Sequence, residues 1–400
     1  MNILHVTPGY KPAYRLGGPI ASVSAIAERL VRMGHDVTVV TTNANLDENI
    51  DVPFGVPVDV DGVRVFYFAR KEPLRTLLPF VPYISGSLGF LYAPEMRRAL
   101  DELVPRADVV HTHMPFVYPT YAGARAALRH GRPLFYSQRG NLLDTHLQRR
   151  RWKKRVYLSL FEKPLVERAT TLIALTEAER AAFAALSPST PSVVIPNGVD
   201  LPPEMPEAAQ RVRERFGVPE DALLLLFLGR LHAWKGAEEL LEAFARIAAD
   251  LPHAWLVMAG ADEANVASRK RERVIVPGVV TGADKEALLH RADLFALPSA
   301  GEGQSLALLE ALAHRTAVMI SPGCNFPDAE AAGAGVTVAK DATAMTAALR
   351  TLLADRDALR RMGDAGRALV ARAYSWDAIT ATLADVYAEG VRRTSSPRRR

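Results

Sequence analysis

The sequence predicts an α/β protein built from two doubly wound parallel sheets. The chain opens with a strand, a loop, a helix and a second strand between Asn2 and Thr41, the unit from which parallel sheets are wound. The same pattern starts again at Leu223, where six apolar residues precede a turn and a helix. Most of the remaining apolar runs are short and lack polar alternation, which is typical of parallel strands buried on both faces.

Composition indicates a globular protein with enough residues for two or three domains. The 400 residues are 49% hydrophobic and 23% charged, ordinary values for a folded chain. The single cysteine, Cys324, excludes an intramolecular disulfide and favours a reducing compartment. Neither a signal peptide nor an apolar run of about 18 residues is present, so we expect a cytoplasmic protein.

Charge is distributed unevenly along the chain. Residues 1–195 contain 24 basic and 17 acidic side chains, whereas residues 196–391 contain 20 basic and 27 acidic ones, and the last nine residues add five arginines. The basic first half is expected to face an anionic partner. An anionic membrane surface is one candidate; nucleic acid is disfavoured because no stacking platform or known nucleic-acid module accompanies the charge.

The first half reads as a series of strands separated by loops and helices. Gly17 and Gly18 lie in the first loop and allow either close approach to a phosphate or a flexible connection. Because GxGxxG is missing after the first strand of each half, a dehydrogenase is disfavoured. The strands are predicted at residues 2–6, 37–41, 61–68, 107–111, 134–137 and 171–175.

Polar residues follow two of these strands. His111 and His113 come at the end of one, and Arg139 and Asn141 follow the next. Open α/β sheets bind ligands at the carboxyl ends of their strands, although two polar loop histidines would look the same. No cysteine or nearby carboxylate completes a metal set with the histidines, so zinc is not expected.

Two segments of the first half suggest a lipid surface. Residues 73–96 are apolar but interrupted by prolines, so they form either a core helix pair or a lipid-contacting surface. Residues 148–155 carry six positive charges beside Trp152. This pattern is typical either of a solvated helix face or of a contact between Arg149–Arg155 and an anionic membrane.

The second half contains a candidate diphosphate site. Six prolines between Ser187 and Pro206 mark a linker, so we place the domain boundary near Pro196. The strand predicted over residues 223–228 leads into a turn with Arg230 and Lys235, and a helix follows at once. Two cations and a helix N-terminus suit a diphosphate, whereas the alternative is solvent-exposed charge.

The stretch from Leu297 to Leu312 supplies two carboxylates near another strand-to-helix turn. Ser305 is a suitable N-cap for the helix, Glu302 lies in the loop before it and Glu310 lies within it. Both carboxylates can face one ligand, or they are an exposed loop residue and a surface helix residue. The glycines at 301 and 303 favour close backbone approach to a ligand.

These motifs, in this order and spacing, resemble the family 4 retaining glycosyltransferases. The most specific element is the pair of glutamates separated by seven residues, Glu302 and Glu310, downstream of Arg230 and Lys235. Further matches lie at residues 17–19, 108–113, 196–200 and 374–376. The resemblance implies the GT-B fold, in which two Rossmann-like doubly wound domains face each other across a cleft.

The resemblance also implies a division of the chain. Residues 1–196 would be the acceptor-binding domain and residues 197–374 the nucleotide-sugar-binding domain. A helix over residues 375–391 would pack back on the first domain, and residues 392–400 would be a disordered basic tail.

Roles for single residues follow from the same resemblance. Arg230 and Lys235 would neutralise the diphosphate of the donor without a metal or other cofactor, Glu310 would bind the ribose hydroxyls, and Glu302 would bind the donor sugar. His113 would stabilise positive charge at the reacting carbon or position the donor. Other donor contacts are expected from Gly17, Gly18, Val276, Gly278, Gly303, Gln304, Ser305 and Leu306, and acceptor contacts from Arg139 and Asn141.

The expected activity is transfer of a sugar, with retention, from a UDP- or GDP-sugar to a glycan or polyprenyl-diphosphate-linked acceptor. Assembly of lipopolysaccharide, capsule or exopolysaccharide at the inner membrane face would suit the basic first half. A sugar-nucleotide epimerase, a phosphorylase and a non-catalytic nucleotide-sugar-binding protein of the same fold stay open. Gln304 and Ser305 replace a frequent aromatic residue and glycine, which leaves the sugar preference open.

Overall fold

The computed structural model describes residues 1–46, 48–71, 90–143, 155–269 and 271–395. The chain forms two compact units, of which the first joins Met1–Asn197 to Trp376–Arg400 and the second is Gly198–Ser375. Each change of unit falls one residue after the boundary drawn from the sequence. Both units are α/β structures with a mainly parallel sheet, as the apolar runs predicted.

The first unit is built on an eight-stranded sheet with the order β10-β9-β8-β7-β1-β2-β6-β5. All neighbouring strands are parallel except β5 and β6, which form an antiparallel edge. A separate two-residue ladder pairs β3 with β4. The strands are β1 (Asn2–Val6), β2 (Asp36–Thr42), β3 (Ala44–Asn45), β4 (Glu48–Asn49), β5 (Pro57–Val60), β6 (Val63–Phe68), β7 (Val109–His113), β8 (Leu134–Ser137), β9 (Thr171–Ala174) and β10 (Ser192–Val194).

The edge of this sheet differs from the prediction. The strand expected over residues 61–68 begins at Val63, because Asp61 and Gly62 have left-handed backbone angles and form a turn. Strand β5 was not predicted, since its four residues alternate between half-buried and exposed and include Pro57. Proline is tolerated at such an edge because it has no N–H to donate to a second neighbour.

Helices cover the sheet of the first unit. They are α1 (Gly18–Arg32), α2 (Met96–Leu103), α3 (Tyr118–Arg129), α4 (Lys163–Val166), α5 (Glu177–Leu186) and the C-terminal helix (Trp376–Ser395). A π-helical turn, Leu158–Glu162, leads directly into α4. No helix in the described part of the chain is long and apolar enough to cross a membrane.

The C-terminal helix packs on the first unit through specific contacts. Asp377 accepts a hydrogen bond from Arg29 of α1 at 3.0 Å, and the Tyr387 ring lies 4.8 Å from that of Phe135 on β8. Residues 392–395 belong to this helix, so the expectation that they are disordered was wrong. The rest of the predicted tail, residues 396–400, lies outside the described residues.

The second unit is a six-stranded, wholly parallel sheet with the order β13-β12-β11-β14-β15-β16. Its strands are β11 (Leu223–Leu228), β12 (Ala254–Ala259), β13 (Val274–Gly278), β14 (Leu294–Leu297), β15 (Ala317–Ile320) and β16 (Gly335–Thr337). Its helices are α6 (Ala208–Phe216), α7 (Ala237–Ile247), α8 (Gly282–Arg291), α9 (Leu306–Ala313), α10 (Asp328–Ala331), α11 (Ala342–Leu353) and α12 (Arg356–Ala373).

Strand β11 is the centre of this sheet, and its sequence explains why. Residues 224–227 are fully buried leucine and phenylalanine side chains, with helices on both faces of the sheet. Each such side chain contributes about 1.5–3 kcal/mol when it leaves water. A run without polar alternation is therefore typical of a strand covered on both faces.

The two segments for which a membrane contact was one of two interpretations lie mostly outside the described residues. Residues 72–89, most of the apolar 73–96 segment, and residues 144–154, most of the basic run, lie outside the described residues. The described end of the first segment joins α2, whose Met96 side chain is buried in the core. The interpretation of both segments stays a prediction.

In each unit the sheet grows in both directions from its first strand. The chain adds β2 and β6 on one side of β1 and then crosses to add β7 on the other side. It does the same around β11, with β12 and β13 on one side and β14 on the other. The loops that leave the two strands at such a switch point diverge, which leaves a crevice at their carboxyl ends.

Substitution of Gly390 should disturb the packing of the C-terminal helix against β8. An added Cβ atom would lie 2.4 Å from the Cζ atom of Phe135, a fully buried ring. Gly390→Ala should therefore destabilise the protein by roughly 1–3 kcal/mol, whereas the same change in an open helix stabilises by about 1 kcal/mol. Urea unfolding measures the difference. The exposed neighbour change Glu389→Ala is the control, and a stabilised Gly390→Ala protein would contradict this packing.

Candidate functional site

The crevice of the second unit is formed by two loops that are tied together. Gly236, at the end of the loop after β11, has a left-handed backbone, and a Cβ atom there would lie 2.3 Å from the carbonyl oxygen of Pro298. The Ala300 N–H donates to the Trp234 carbonyl at 2.8 Å, and the Trp234 indole N–H donates to the Gly301 carbonyl at 2.9 Å. The loops after β11 and β14 therefore form one surface.

The predicted residues Lys235 and Glu302 meet on this surface. The Lys235 Nζ atom lies 2.5 Å from Oε1 of Glu302, and both side chains are mostly buried, with 21% and 12% exposure. The Glu302 backbone is fixed as well: its N–H donates to Gly323, and its carbonyl accepts from the Asn325 amide at 2.8 Å. The ion pair is held in place by three loops, those after β11, β14 and β15.

Helix α9 directs its N-terminus to the same edge. Ser305 is its N-cap, as predicted, and its hydroxyl accepts a hydrogen bond from the Leu308 N–H at 3.3 Å. Gln304 and Ser305 are buried, while Gly303 and Leu306 are half-buried. Free N–H groups at this helix end and its partial positive charge suit an anionic ligand.

Glu310 lies further along α9 and pairs with a residue that the sequence did not reveal. Its carboxylate accepts a hydrogen bond from Lys285 of α8 at 2.9 Å, and both side chains are about 30% exposed. Lys285 lies in an ordinary amphipathic helix pattern, so no sequence signal singled it out. Asn325 was also missed, because it follows a short turn that contains no motif.

The remaining second-unit residues lie along the same edge of the sheet. Arg230 is exposed and pairs with Glu263 at 3.4 Å, a weak contact. Gly278 ends β13, and its carbonyl accepts from the Gly260 N–H at 2.8 Å. Gly260 in turn lies against the backbone of Gly229, immediately before Arg230. Glycines thus stand at the carboxyl ends of three adjacent strands, β11, β12 and β13, and Val276 of β13 is half-buried beside them.

The switch point of the first unit carries three buried imidazoles. Strand β7 extends through His113, so His111 and His113 are buried strand residues with at most 1% exposure, and the alternative of two loop histidines was wrong. The third is His5 of β1, which pairs in register with His111. Sequence reasoning missed His5 because the residue lies inside an apolar run that predicts a strand. The signal that could have revealed it was a polar side chain within that run.

Hydrogen bonds connect the three rings to the unit around them. The Nδ1 atom of His5 lies 2.9 Å from Nε2 of His113. The two nitrogens of His111 contact the Tyr387 hydroxyl at 2.5 Å and the Ser137 hydroxyl at 2.8 Å. The C-terminal helix, which carries Tyr387, therefore completes the cluster.

Arg139, predicted as an acceptor contact, touches the cluster directly. Its Nε–H donates to Nδ1 of His113 at 3.3 Å, and its Nη1 donates to the Ser22 hydroxyl at 2.9 Å and the Asn197 side-chain oxygen at 3.2 Å. The residue as a whole is half-buried. Asn141 is half-buried and its N–H donates to the Gln138 carbonyl, so the structure places it near the turn rather than in the cluster.

Burial keeps all three imidazoles neutral. It lowers the pKa of His5 to about 3, with the Arg139 charge as the second cause. It also lowers the pKa of His111 and of His113 well below the usual value, and the neighbouring imidazoles and Arg139 act in the same direction. Burial lowers the pKa of Arg139 itself to about 10, so this guanidinium remains charged at neutral pH.

Three imidazoles with ring nitrogens within 4.8 Å of one another could in principle hold a transition metal. The hydrogen bonds oppose it, because a ligand nitrogen must offer a lone pair to the metal. The guanidinium N–H on Nδ1 of His113 leaves the proton of that neutral ring on Nε2, the atom that faces the other rings. The fixed positive charge of Arg139 would also repel a cation.

Gly17 and Gly18 are exposed at the start of α1. Gly17 is the N-cap and has a φ of 81°, a conformation that glycine adopts without strain. Its N–H donates to the Tyr14 carbonyl at 3.0 Å. The pair forms a turn that presents backbone to solvent, and its predicted role toward a donor stays a prediction.

Comparison with known proteins identifies the family. Residues 17–198 match the glycosyl transferase 4-like domain, and residues 209–369 match the glycosyl transferases group 1 model. These matches cover most of the chain, so the protein belongs to the group 1 glycosyltransferases. It is a glycosyltransferase with the two parallel-sheet α/β domains of the GT-B class.

Individual relatives are distant but similar over their full length. The chain is 28% identical to a D-inositol 3-phosphate glycosyltransferase of Kineococcus radiotolerans, over 99% of this chain and 96% of that protein. Among solved structures, sucrose-phosphate synthase of Thermosynechococcus elongatus has a TM-score of 0.73 at 21% identity, covering 97% and 98% of the two chains. Anabaena HepE in complex with UDP-glucose has a TM-score of 0.73 at 20% identity, covering 97% of this chain and 100% of that one.

The neutral imidazoles predict an acid sensitivity of folding. An unfolded histidine titrates near pH 6.5, whereas folded His5 has a pKa of about 3. Between these values the unfolded chain binds the extra proton, so the free energy of unfolding falls as the pH drops below about 6.5. Wild type should lose about 1.4 kcal/mol more than His5→Asn for each unit of pH near pH 5 to 6.

Urea unfolding at several pH values measures this difference. Burial raises the pKa of Glu162 to about 6 and that of Glu179 to about 7. These carboxyls bind protons more tightly in the folded state and therefore act in the opposite direction. They are present in both proteins, so the comparison cancels them; parallel pH profiles of the two proteins would contradict a neutral buried His5.

Proposed function

We propose that the second unit binds a UDP- or GDP-sugar and that the enzyme transfers the sugar with retention of configuration and without a metal. The observation that carries this proposal is the Lys235–Glu302 ion pair at the switch point between β11 and β14. It puts a cation and a carboxylate beside the N-terminus of α9, where a sugar diphosphate has use for both. The UDP-glucose complex of HepE supports this class of donor.

The ion pair would be exchanged when the donor binds. A diphosphate would attract the Lys235 ammonium and the exposed Arg230 guanidinium. It would then replace Glu302 as the anion that neutralises Lys235. The Glu302 carboxylate would then accept hydrogen bonds from sugar hydroxyls. Glu310 would accept from the ribose hydroxyls in the same way, in place of its bond from Lys285.

The chemical step needs charge stabilisation more than a nucleophile. The bond between the anomeric carbon and the phosphate oxygen breaks, and the acceptor oxygen bonds to the same face of that carbon. The departing phosphate oxygen takes the proton of the acceptor hydroxyl. Lys235, Arg230 and the N–H groups at the start of α9 would stabilise the negative charge that develops on the diphosphate.

The acceptor is proposed to bind the first unit, whose basic charge suits a phosphorylated molecule. A polyprenyl-diphosphate-linked glycan at the inner membrane face, in bacterial surface polysaccharide assembly, fits both that charge and the basic run Arg149–Arg155. The relative from Kineococcus radiotolerans supports a second candidate, a phosphorylated polyol. Both classes carry phosphate, so an acceptor panel must include both.

Removal of Lys235 or Glu310 should weaken nucleotide binding. Hydrogen bonds to charged groups contribute about 1.5–3 kcal/mol, so Lys235→Ala should bind UDP or GDP on the order of 10- to 100-fold more weakly. Glu310→Ala should lose a smaller factor. Calorimetric titration with UDP and GDP measures both changes and identifies the base.

The matched control is Arg350→Ala, because Arg350 pairs with Asp250 beyond the opposite end of α7. Slow release of UDP or GDP from the sugar nucleotide without acceptor, unaffected by EDTA and lost in Lys235→Ala, would support the transferase. Phosphate-dependent turnover would indicate a phosphorylase, and interconversion of the donor sugar an epimerase. Absence of nucleotide binding by wild type would eliminate the proposal.

Charge reversal of the basic run tests the membrane role. Six positive charges among residues 148–155 should contribute about 1 kcal/mol each near an anionic surface. Wild type should therefore float with liposomes that contain phosphatidylglycerol, and the charge-reversed variant should stay in the soluble fraction. Neutral liposomes are the control, and equal flotation of the two proteins would count against membrane docking.

A further inference from the structure

The cluster in the first unit contains one hydrogen bond whose direction is certain. A guanidinium group only donates hydrogen bonds. The bond between Nε of Arg139 and Nδ1 of His113, 3.3 Å long, therefore requires a lone pair on that imidazole nitrogen. A protonated His113 would place two N–H groups against each other here, so His113 is neutral and its proton is on Nε2.

This assignment fixes the next ring. The Nε2–H of His113 points at Nδ1 of His5 across 2.9 Å, so His5 accepts the hydrogen bond. His5 must then also be neutral, with its own proton on Nε2. That atom is buried without a hydrogen-bond partner among the described residues, which marks the end of the chain of bonds.

Arg139 is itself held in place from two other segments. Its guanidinium donates to Ser22 on α1 and to Asn197, the last residue before the chain enters the second unit. The Arg139 guanidinium thus donates to His113, and His113 donates to His5. His111 is different, because its partners Tyr387 and Ser137 carry hydroxyls that either donate or accept.

We propose that His5 and Arg139 are positioning residues that lock His113 as the neutral tautomer with its proton on Nε2. With one nitrogen accepting from Arg139 and the other donating to His5, His113 has no nitrogen left for proton transfer. Its role in the reaction is therefore to shape the carboxyl end of β7, not to act as a general acid or base. This last point rests on the proposed transfer reaction, whereas the tautomer does not.

The chain offers a matched pair of variants at His5. In His5→Asn the side-chain oxygen can take the place of Nδ1 and accept the bond from His113, whereas His5→Leu fills a similar volume without an acceptor. We expect His5→Leu to lower kcat about tenfold and His5→Asn to recover most of it. UDP and GDP affinity should stay unchanged in both, because the proposed nucleotide contacts belong to the second unit.

Nitrogen-15 NMR of the histidine rings in the full-length protein tests the tautomer independently of activity. The His113 signals, assigned with His113→Gln, should show a proton on Nε2 and a bare Nδ1, with His5 in the same form. A proton on Nδ1 of His113, or a doubly protonated ring near neutral pH, would overturn the lock.

Kinetics and NMR separate the two ideas. If wild type shows no transfer, the ring signals still decide the tautomer, and only the proposed function fails. If His5→Leu and His5→Asn lose kcat equally while both stay folded by circular dichroism, His5 does not act through its accepting nitrogen. A parallel loss of nucleotide affinity would likewise contradict a positioning role.

Discussion

The winding of each sheet around its first strand is the constraint on which both candidate sites depend. A parallel sheet sends all of its carboxyl ends to one edge, and only the switch point leaves a crevice there. In the first unit this point lies between β1 and β7, and in the second between β11 and β14. The buried histidines lie on the two strands of the first switch point, and the Lys235–Glu302 pair lies on the loops that leave the two strands of the second.

The two switch points limit the free-energy cost of burying polar groups in opposite ways. The first unit buries its three imidazoles almost completely and keeps them neutral, since isolated charge in a protein interior costs several kcal/mol. The second keeps a charged pair in partial contact with water, with 21% and 12% exposure of its two side chains. Because both side chains are partly exposed, each could leave the other and pair with a charged ligand instead. A fully buried pair could not separate at comparable cost.

Sequence reasoning predicted the fold and the positions of Lys235 and Glu302 more completely than the cluster of neutral histidines. Short uninterrupted apolar runs such as residues 223–228, followed by a glycine-containing turn, favour buried strands, and Ser305 marks its helix start as an N-cap residue. Lys235 and Glu302 stood out because each is a charged residue beside a glycine in a turn between a strand and a helix. His5 and Lys285 were missed because their partners come from distant elements: His5 pairs with His111 only through strand register, and Lys285 meets Glu310 only through helix packing. Strand β5 has too few buried residues to produce a pattern.

The return of the C-terminal helix to the first unit sets an order for folding during synthesis. Tyr387 reaches His111 only after the ribosome has made the whole second unit, so the histidine cluster waits while that unit can already fold. The second unit is an insertion whose two ends are adjacent, since the Val199 N–H donates to the Tyr374 carbonyl at 2.7 Å. Because these ends lie side by side, the segment can be excised and the first unit rejoined through a short linker.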